Sequence, residues 1–348
     1  MRILLSGDLI PFGTTLARAD AFRELGHEVE AIDIRPFLEA ESRLVSRLNH
    51  WSLVTPGVFR LNRALLESVE RFRPDVAWIE KGTYVFPRTL RRLDGDPSLL
   101  LVYHNTDDWK AKTRFQRLHW RFLLKSLPLY DVHVTSNLHN VEEFRAEGFP
   151  HVHHMELAAN PAVPDPGPLS EEERRVLGGP IGFIGHREAN TERALGHLVR
   201  AGLPLRIYGG WERSSSAPEL RDSVEGRYVW GAEYGRAICS FDVNIGIVSE
   251  VNRNHTASRT FQIPALGGFL LHERNDLIVK YFREGEEAAF FDSDDDLVEK
   301  CRYYLDHPDE RRRIAEAGRR RCISSGYFEI DRVREIVPVM EEHLGRRS

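Results

Sequence analysis

The chain has 348 residues, 41% hydrophobic and 29% charged, which is ordinary globular composition and length enough for two domains. A formal net charge of −5 argues against a protein that coats itself with nucleic acid, and three cysteines (Cys239, Cys301, Cys322) cannot make a disulfide framework, which fits a reducing cytoplasm. No run approaches the roughly eighteen apolar residues needed to span a bilayer, and "MRILLSGDLI" reads as a first β-strand rather than a secretory signal.

Strand and helix patterns alternate from that start. "RILLS" is expected as strand, Thr15 to Leu25 as helix, "HEVEAIDI" as strand and "FRLNRALLESVERF" as helix; "DVAWIE", "LLLVYH" and "DVHVT" follow as short apolar strands. This is α/β logic with a mostly parallel sheet, in which ligands sit beyond the carboxyl ends of strands. Those ends are "SGDLIPFGT", "EKGTY" and "HNTDDW". The first places Gly13 and Thr14 at a helix start facing the site, and the absence of GxGxxG speaks against a dinucleotide cofactor. The second sets Lys81 and Gly82 directly after a strand. The third places His104, Asp107 and Asp108 where a carboxylate accepts a proton from a hydroxyl or merely caps the next turn.

Residues 110–125 carry Lys110, Lys112, Arg114, Arg117, Arg121 and Lys125 with no carboxylate among them. Three readings stand: a solvated helix face packed on its own domain, a peripheral contact with anionic lipid at the inner face of the membrane, or attraction of an anionic acceptor. In "HVHHM", His151 and His153 alternate as strand residues do, so no metal site is expected there. Pro161, Pro164, Pro166 and Pro168 then mark a linker, giving a first domain over 1–163 and a second over 164–328.

The second half restarts the alternation with "IGFIG", "PLRIYGG", "FDVNIGIV" and "AAFF", and ends in helices. Asp292 and Asp294 are spaced like a metal-binding Asp-X-Asp, although acids before a helix are what the helix dipole favours. The stretch "NRNHTASRTFQIPALGGFLL", residues 252–271, has Ser258 as an expected N-cap, two helical turns from Arg259 to Leu266, and a stop at Gly267 and Gly268 before the strand. Arg259 beside the first-turn N–H groups would bind a diphosphate by charge and dipole together, with Gln262 one turn on. The alternative is a buried helix with an ordinary cap and a solvent-facing arginine.

In this order, "FIGHREANTERALGHL", "LRIYGGW", "YVWGAEYGRAICSFDVNIGI" and "RTFQIPALGGFLL" resemble the nucleotide-binding domain of a GT-B glycosyltransferase, and specifically the CgeB-like (spore maturation protein) branch of the group-one enzymes. "PDVAWIEKG" and "YHNTDDW" add to the likeness in the first half. The resemblance implies two tandem Rossmann-like domains facing a cleft, with residues 329–348 as a helix crossing back to the first domain. It implies a nucleotide-diphosphate sugar as donor, an acceptor the sequence does not identify, and no metal or other cofactor, because helix N-termini and basic side chains hold the departing diphosphate. On that reading Gly185 gives close backbone approach, Arg187 charge, and Ser258 and Arg259 the diphosphate end. Arg193, Gly209, Trp230 and Gly231 are further donor-side candidates, with Trp230 beside the nucleobase. The paired glutamates of many retaining members fall here at Asn254 and Gln262, so retention of configuration is a weaker implication, although the Gln262 amide oxygen can accept from a ribose hydroxyl. Two rivals share the fold: a sugar-nucleotide epimerase and a catalytically inactive nucleotide-sugar-binding protein.

Overall fold

The structure, a computed structural model, describes residues 1–39, 53–110 and 114–347. It divides into two units, Met1–Glu156 with Glu329–Ser348, and Leu157–Phe328.

The first unit runs β1 (Arg2–Gly7), α1 (Thr14–Glu24), β2 (Glu28–Asp33), α2 (Arg35–Leu38), α3 (Pro56–Phe72), β3 (Val76–Glu80), α4 (Pro87–Asp94), β4 (Leu100–Asn105), α5 (Arg114–His119), α6 (Arg121–Ser126), β5 (Val132–Thr135), α7 (Leu138–Ala146) and β6 (Val152–His154). Its sheet is parallel in the order β2-β1-β3-β4-β5-β6. The inner strands are apolar runs rather than alternations because helices cover both faces of a parallel sheet; every residue of β4 is buried.

The second unit runs α8 (Glu171–Leu177), β7 (Gly179–Ile184), α9 (Ala189–Arg200), β8 (Leu205–Tyr208), α10 (Gly231–Ser240), β9 (Phe241–Gly246), α11 (Ser258–Ala265), β10 (Leu270–Glu273), α12 (Ile278–Tyr281), β11 (Ala289–Phe291), α13 (Asp294–Asp306) and α14 (Pro308–Ser324). This sheet is also parallel, in the order β11-β10-β9-β7-β8.

A last helix, α15 (Glu329–Arg347), returns to the first unit. Val333, Ile336 and Met340, spaced three and four apart, are buried on one stripe against Ile3, Phe22 and Trp78. Its first residue, Glu329, is buried and ion-paired to Arg18 at 2.7 Å.

The division between units falls at Glu156–Leu157, ahead of the 163–164 boundary expected from the prolines. Residues 157–163 already belong to the second unit by their bonds. Ala159 N–H donates to the Tyr327 carbonyl at 2.9 Å, and Val163 is part of a core with Phe261 and Leu266.

Candidate functional site

In the second unit the chain steps from β7 out to β8 and then returns to β9 on the other side of β7. That reversal opens a crevice at the carboxyl ends of β7 and β9, the usual ligand position in such sheets. Gly185, Arg259 and the loop after β8 meet there.

The helix that carries Arg259 begins one residue earlier than expected: its N-cap is Ala257, in extended backbone, and Ser258 is the first helical residue. The capping work passes to Thr260. Its hydroxyl oxygen accepts the Ala257 N–H at 3.0 Å and pairs with His272 Nε2 at 3.0 Å, while His272 Nδ1 lies 2.6 Å from the Glu273 carbonyl. Burial lowers the His272 pKa to about 4, so the ring is neutral, Nδ1–H donates to the carbonyl and Nε2 accepts from the hydroxyl. The helix ends as the double glycine predicts. Gly267 adopts φ +81°, the Gly268 N–H donates to the Ile263 carbonyl and the Gly267 N–H to that of Pro264, both at 2.9 Å, in a Schellman arrangement.

Arg259 itself is half-buried. Its guanidinium lies over the Phe183 ring, 5.2 Å from the centroid, and reaches the Ile184 carbonyl at 3.4 Å. Among the described residues no carboxylate stands within ion-pair distance of it; burial lowers its pKa, with only partial relief from Tyr234 and Glu188. Gly185 is required beside it, since a β-carbon there would sit 2.5 Å from Arg259 Nη1.

Gly209, at φ +123°, faces the Gly185 carbonyl so closely that a side chain would strike it. Trp211, buried, donates its indole N–H to that same carbonyl at 2.9 Å. Next to this glycine wall stand Tyr228 and Trp230, both about half exposed and stacked at 6.0 Å with planes 22° apart. Trp230 is therefore not an interior aromatic. It precedes Gly231, which opens α10 at φ +54°.

Three donor-side candidates are already engaged. Arg187 is ion-paired to Glu192 at 2.7 Å, and Arg193 to Asp294 at 2.8 Å. Gln262 is buried, and its amide oxygen accepts the Asn160 N–H at 2.7 Å, pinning the incoming linker rather than facing a ribose. Asp294 sits in the first turn of α13, capped by Ser293, and Asp292 pairs with Arg274, an arrangement that serves the helix start. Among the described residues no three His, Cys, Asp or Glu side chains are grouped to hold a metal ion.

Gly13 and Thr14 lie in the first unit, as N-cap and first residue of α1, with Gly13 in ordinary extended backbone. There the strand order reverses between β1 and β3. A recess of about 100 Å³ at their carboxyl ends is lined by Ser6, Asp8, Thr15, Lys81, Thr83 and Tyr84. Lys81 is held in left-handed backbone at φ +59° and reaches Asp107 at 2.6 Å. Burial raises the Asp8 pKa although Arg35 stands 3.2 Å away. Asp8 and Thr83 were not singled out from the sequence; their place directly after the first and third strands was the available signal.

The other two candidates here are buried. Asp108 accepts the Lys110 N–H at 3.1 Å, a turn-capping role. His104 is fully buried, with Nδ1 2.7 Å from Glu80 and 3.3 Å from Arg18. Arg18 also bonds Glu80 and Glu329, which places His104 inside a buried charge cluster and not at a surface that meets substrate. Burial, with Arg18 beside it, lowers the His104 pKa. Burial alone would raise the Glu80 carboxyl, but Arg18 and His104 hold it well below the usual carboxylate range.

Of the basic stretch, Lys112 and the side chain of Arg114 lie outside the described residues. The rest is not one helix. It breaks at Trp120 into α5 and α6, with Arg117 and Lys125 exposed and Arg121 over the Phe122 ring at 4.5 Å. Among the described residues no helix is long and apolar enough to cross a membrane.

Comparison with known proteins gives a family for part of the chain and a fold for all of it. Residues 187–337 match the family described as glycosyl transferase-like. No curated protein matches by sequence. Sucrose-phosphate synthase from Thermosynechococcus elongatus superposes with a TM-score of 0.68 at 10% identity, over 99% of this chain and 100% of that one. Anabaena HepE, in complex with UDP and glucose, gives 0.64 at 11% over 98% and 100%. UDP-GlcNAc 2-epimerase from Neisseria meningitidis, bound to UDP-GlcNAc, gives 0.54 at 10% over 98% and 100%. The chain thus has the GT-B fold, two parallel-sheet α/β domains of six and five strands, and its glycosyl transferase-like match covers most of the second.

Proposed function

We propose that the protein is a glycosyltransferase that moves a sugar from a nucleoside diphosphate to an acceptor hydroxyl without a metal ion, within the CgeB-like branch suggested by its motifs. The observation that carries this reading is Arg259: a half-buried cation with no carboxylate in ion-pair reach among the described residues, at a helix start, beside a glycine whose missing side chain leaves room for the guanidinium. Burying a cation without a counter-ion is costly, so the site is suited to an anion that arrives with the substrate. A departing diphosphate meets the helix dipole and the guanidinium together. Trp230 and Tyr228 give a stacking surface where a nucleobase would lie. The UDP bound by HepE, a protein of the same fold, agrees with such a donor.

Retention of anomeric configuration is the proposed course. Asp107 is tied to Lys81 and Asp108 is buried, and in a retaining transfer the departing diphosphate can itself take the acceptor's proton.

Incubation with a panel of nucleotide sugars is the test. Transfer, or slow hydrolysis without acceptor, is expected and should survive EDTA. Formation of an epimer would favour the epimerase, and binding without turnover a sensor. Arg259→Ala should lower turnover about thirtyfold to a thousandfold, from the loss of roughly 2 to 4 kcal/mol of transition-state stabilisation. Undiminished turnover in that folded variant would remove Arg259 from the site.

A further inference from the structure

Away from both strand-end recesses, α3, α4 and α6 of the first unit surround an open hollow of about 400 Å³ whose floor and walls include Phe59, Phe86 and Phe122. The rings touch in series, Phe59 to Phe86 at 5.2 Å and Phe86 to Phe122 at 5.1 Å. Phe59 is 43% exposed and Val54, on the same hollow, 47%. Phe59 and Val54 thus hold apolar surface open to water on one hollow.

The rim is basic. Arg88, Arg91 and Lys125 line the hollow, all exposed, and none has a carboxylate within ion-pair distance among the described residues. Arg88 instead covers the Phe59 and Phe86 rings at 5.2 and 5.1 Å. Elsewhere in the first unit the exposed Arg63 is paired with Glu67 and Arg92 with Glu70. The chain as a whole carries a net charge of −5, so this cationic rim runs against its own average.

We propose that this face docks on an anionic lipid surface, with Arg88, Arg91 and Lys125 meeting headgroup phosphates and Phe59 and Val54 entering the headgroup boundary. The two components suit that partner together: unpaired cations supply attraction to anionic lipid, and apolar side chains between them supply burial that a soluble polyanion would not reward. The proposal refines the expectation for residues 110–125. The face is built as much by α3 and α4 as by the basic stretch, which among the described residues supplies Phe122 and Lys125 to the hollow.

The test is flotation of the full chain with phosphatidylglycerol vesicles and, separately, with phosphatidylcholine vesicles. Partition onto the anionic vesicles is expected, weakening as salt is raised and much smaller on phosphatidylcholine. Each of Arg91→Glu and Lys125→Glu should weaken partition about fivefold or more, and the triple variant with Arg88→Glu about a hundredfold, from roughly 1 kcal/mol per lost cation. Phe59→Ser, with all charges kept, should leave a weaker partition that salt abolishes completely. Circular dichroism confirms that each variant is folded, and the single Lys125→Glu variant stands if the triple fails. No partition of the wild type, equal partition on both lipids, or charge variants that float like the wild type would overturn the proposal. So would sedimentation showing that the same substitutions break self-association while vesicles are ignored.

Discussion

Each unit places charged groups at the carboxyl end of its sheet where the strand order reverses, but one cation of the second is treated unlike those of the first. In the first unit Arg18 is shared by Glu80 and Glu329, Lys81 is tied to Asp107, and Arg35 lies against Asp8 and Asp33. In the second, Arg187 and Arg193 are paired as well, but Arg259 meets an aromatic ring and a backbone carbonyl and, among the described residues, no carboxylate within ion-pair distance. A cation whose partners are already in the fold serves the fold. One left without an acidic partner is available to a ligand.

The largest expected effects turn on that contrast. Arg18→Met should destabilise the first unit by about 3 to 5 kcal/mol, because it leaves Glu80 and Glu329 buried without their cation. Chemical denaturation should report it, together with earlier loss of hydrogen-exchange protection in α15, which Glu329 begins. Arg259→Ala orphans no carboxylate, so its stability should change by less than about 1 kcal/mol while turnover collapses as argued above. If Arg259→Ala unfolds the protein instead, the guanidinium is a structural group and the contrast fails.

Acid should weaken both units through buried histidines whose pKa values burial lowers, His104 and His133 in the first and His272 in the second. His133 on β5 and His272 on β10 have their pKa values lowered by burial from 6.5 to about 4. Between those values the unfolded chain binds a proton at each site that the folded chain refuses. Their contribution is therefore fully present above pH 6.5 and is lost as the pH falls toward 4, reaching about 3 kcal/mol for each histidine. Stability measured at pH 7 and pH 5 should fall by about 2 kcal/mol less in His272→Gln than in the wild type, the share of one histidine at that pH. An unchanged pH slope in the variant would mean that another group controls acid sensitivity in the second unit. Because the neutral ring also holds the Thr260 hydroxyl that caps the Arg259 helix, donor affinity should hold down to about pH 4 and weaken only as the folded ring itself takes a proton there.

A smaller effect tests the aromatic side of the second site. The first unit's strand-end aromatics, Tyr84 and Trp109, are partly buried in its core, whereas Trp230 is 55% exposed and stacked only on Tyr228 among the ring contacts. If that surface carries a nucleobase, Trp230→Ala should weaken UDP binding by about 1 to 3 kcal/mol, and Trp230→Phe should restore most of it. Calorimetry with UDP and with a ribose-free diphosphate separates base stacking from the diphosphate contact. Equal losses for both ligands would move Trp230 away from the base.

Much of this was legible in the sequence for a local reason. Parallel strands covered on both faces appear as short apolar runs, and a small polar residue with Arg259 before an apolar turn and two glycines announces a helix start and stop within fourteen residues. What failed was long-range pairing. In the sequence nothing near Gln262 claims its amide oxygen, yet in the fold Asn160, 102 positions away, donates to it. His104 looks like a strand-end base until Arg18, Glu80 and Glu329, from three other segments, close over it. The Arg187–Glu192 pair is the exception, five residues apart and open to recognition in advance. The proline run and the division between units fall at different places because stiffness marks where a chain turns, while the contacts of Ala159 and Val163 decide which unit it joins.

The smallest expected effect falls on Asp107, and it decides the stereochemical course. A general base for an inverting transfer must hold its proton-accepting oxygen free for the acceptor hydroxyl, and losing such a base lowers turnover about a hundredfold to ten-thousandfold. Asp107 spends an oxygen on Lys81, at 2.6 Å, and the pair is more than one-third exposed on both sides, so it contributes under about 1 kcal/mol to stability. In a retaining transfer no side chain need take the proton, since the diphosphate held by Arg259 can do so. Asp107→Asn should then keep turnover within about tenfold of the wild type, with donor affinity unchanged and the donor's anomeric configuration preserved in the product by NMR. Asp108→Asn serves as the control, because its carboxyl is buried and accepts a turn N–H from Lys110, and the change should appear in thermal stability before it appears in rate. A hundredfold fall in Asp107→Asn together with an inverted product would make Asp107 the base. The first unit's paired charges would then belong to the chemistry and not only to the fold.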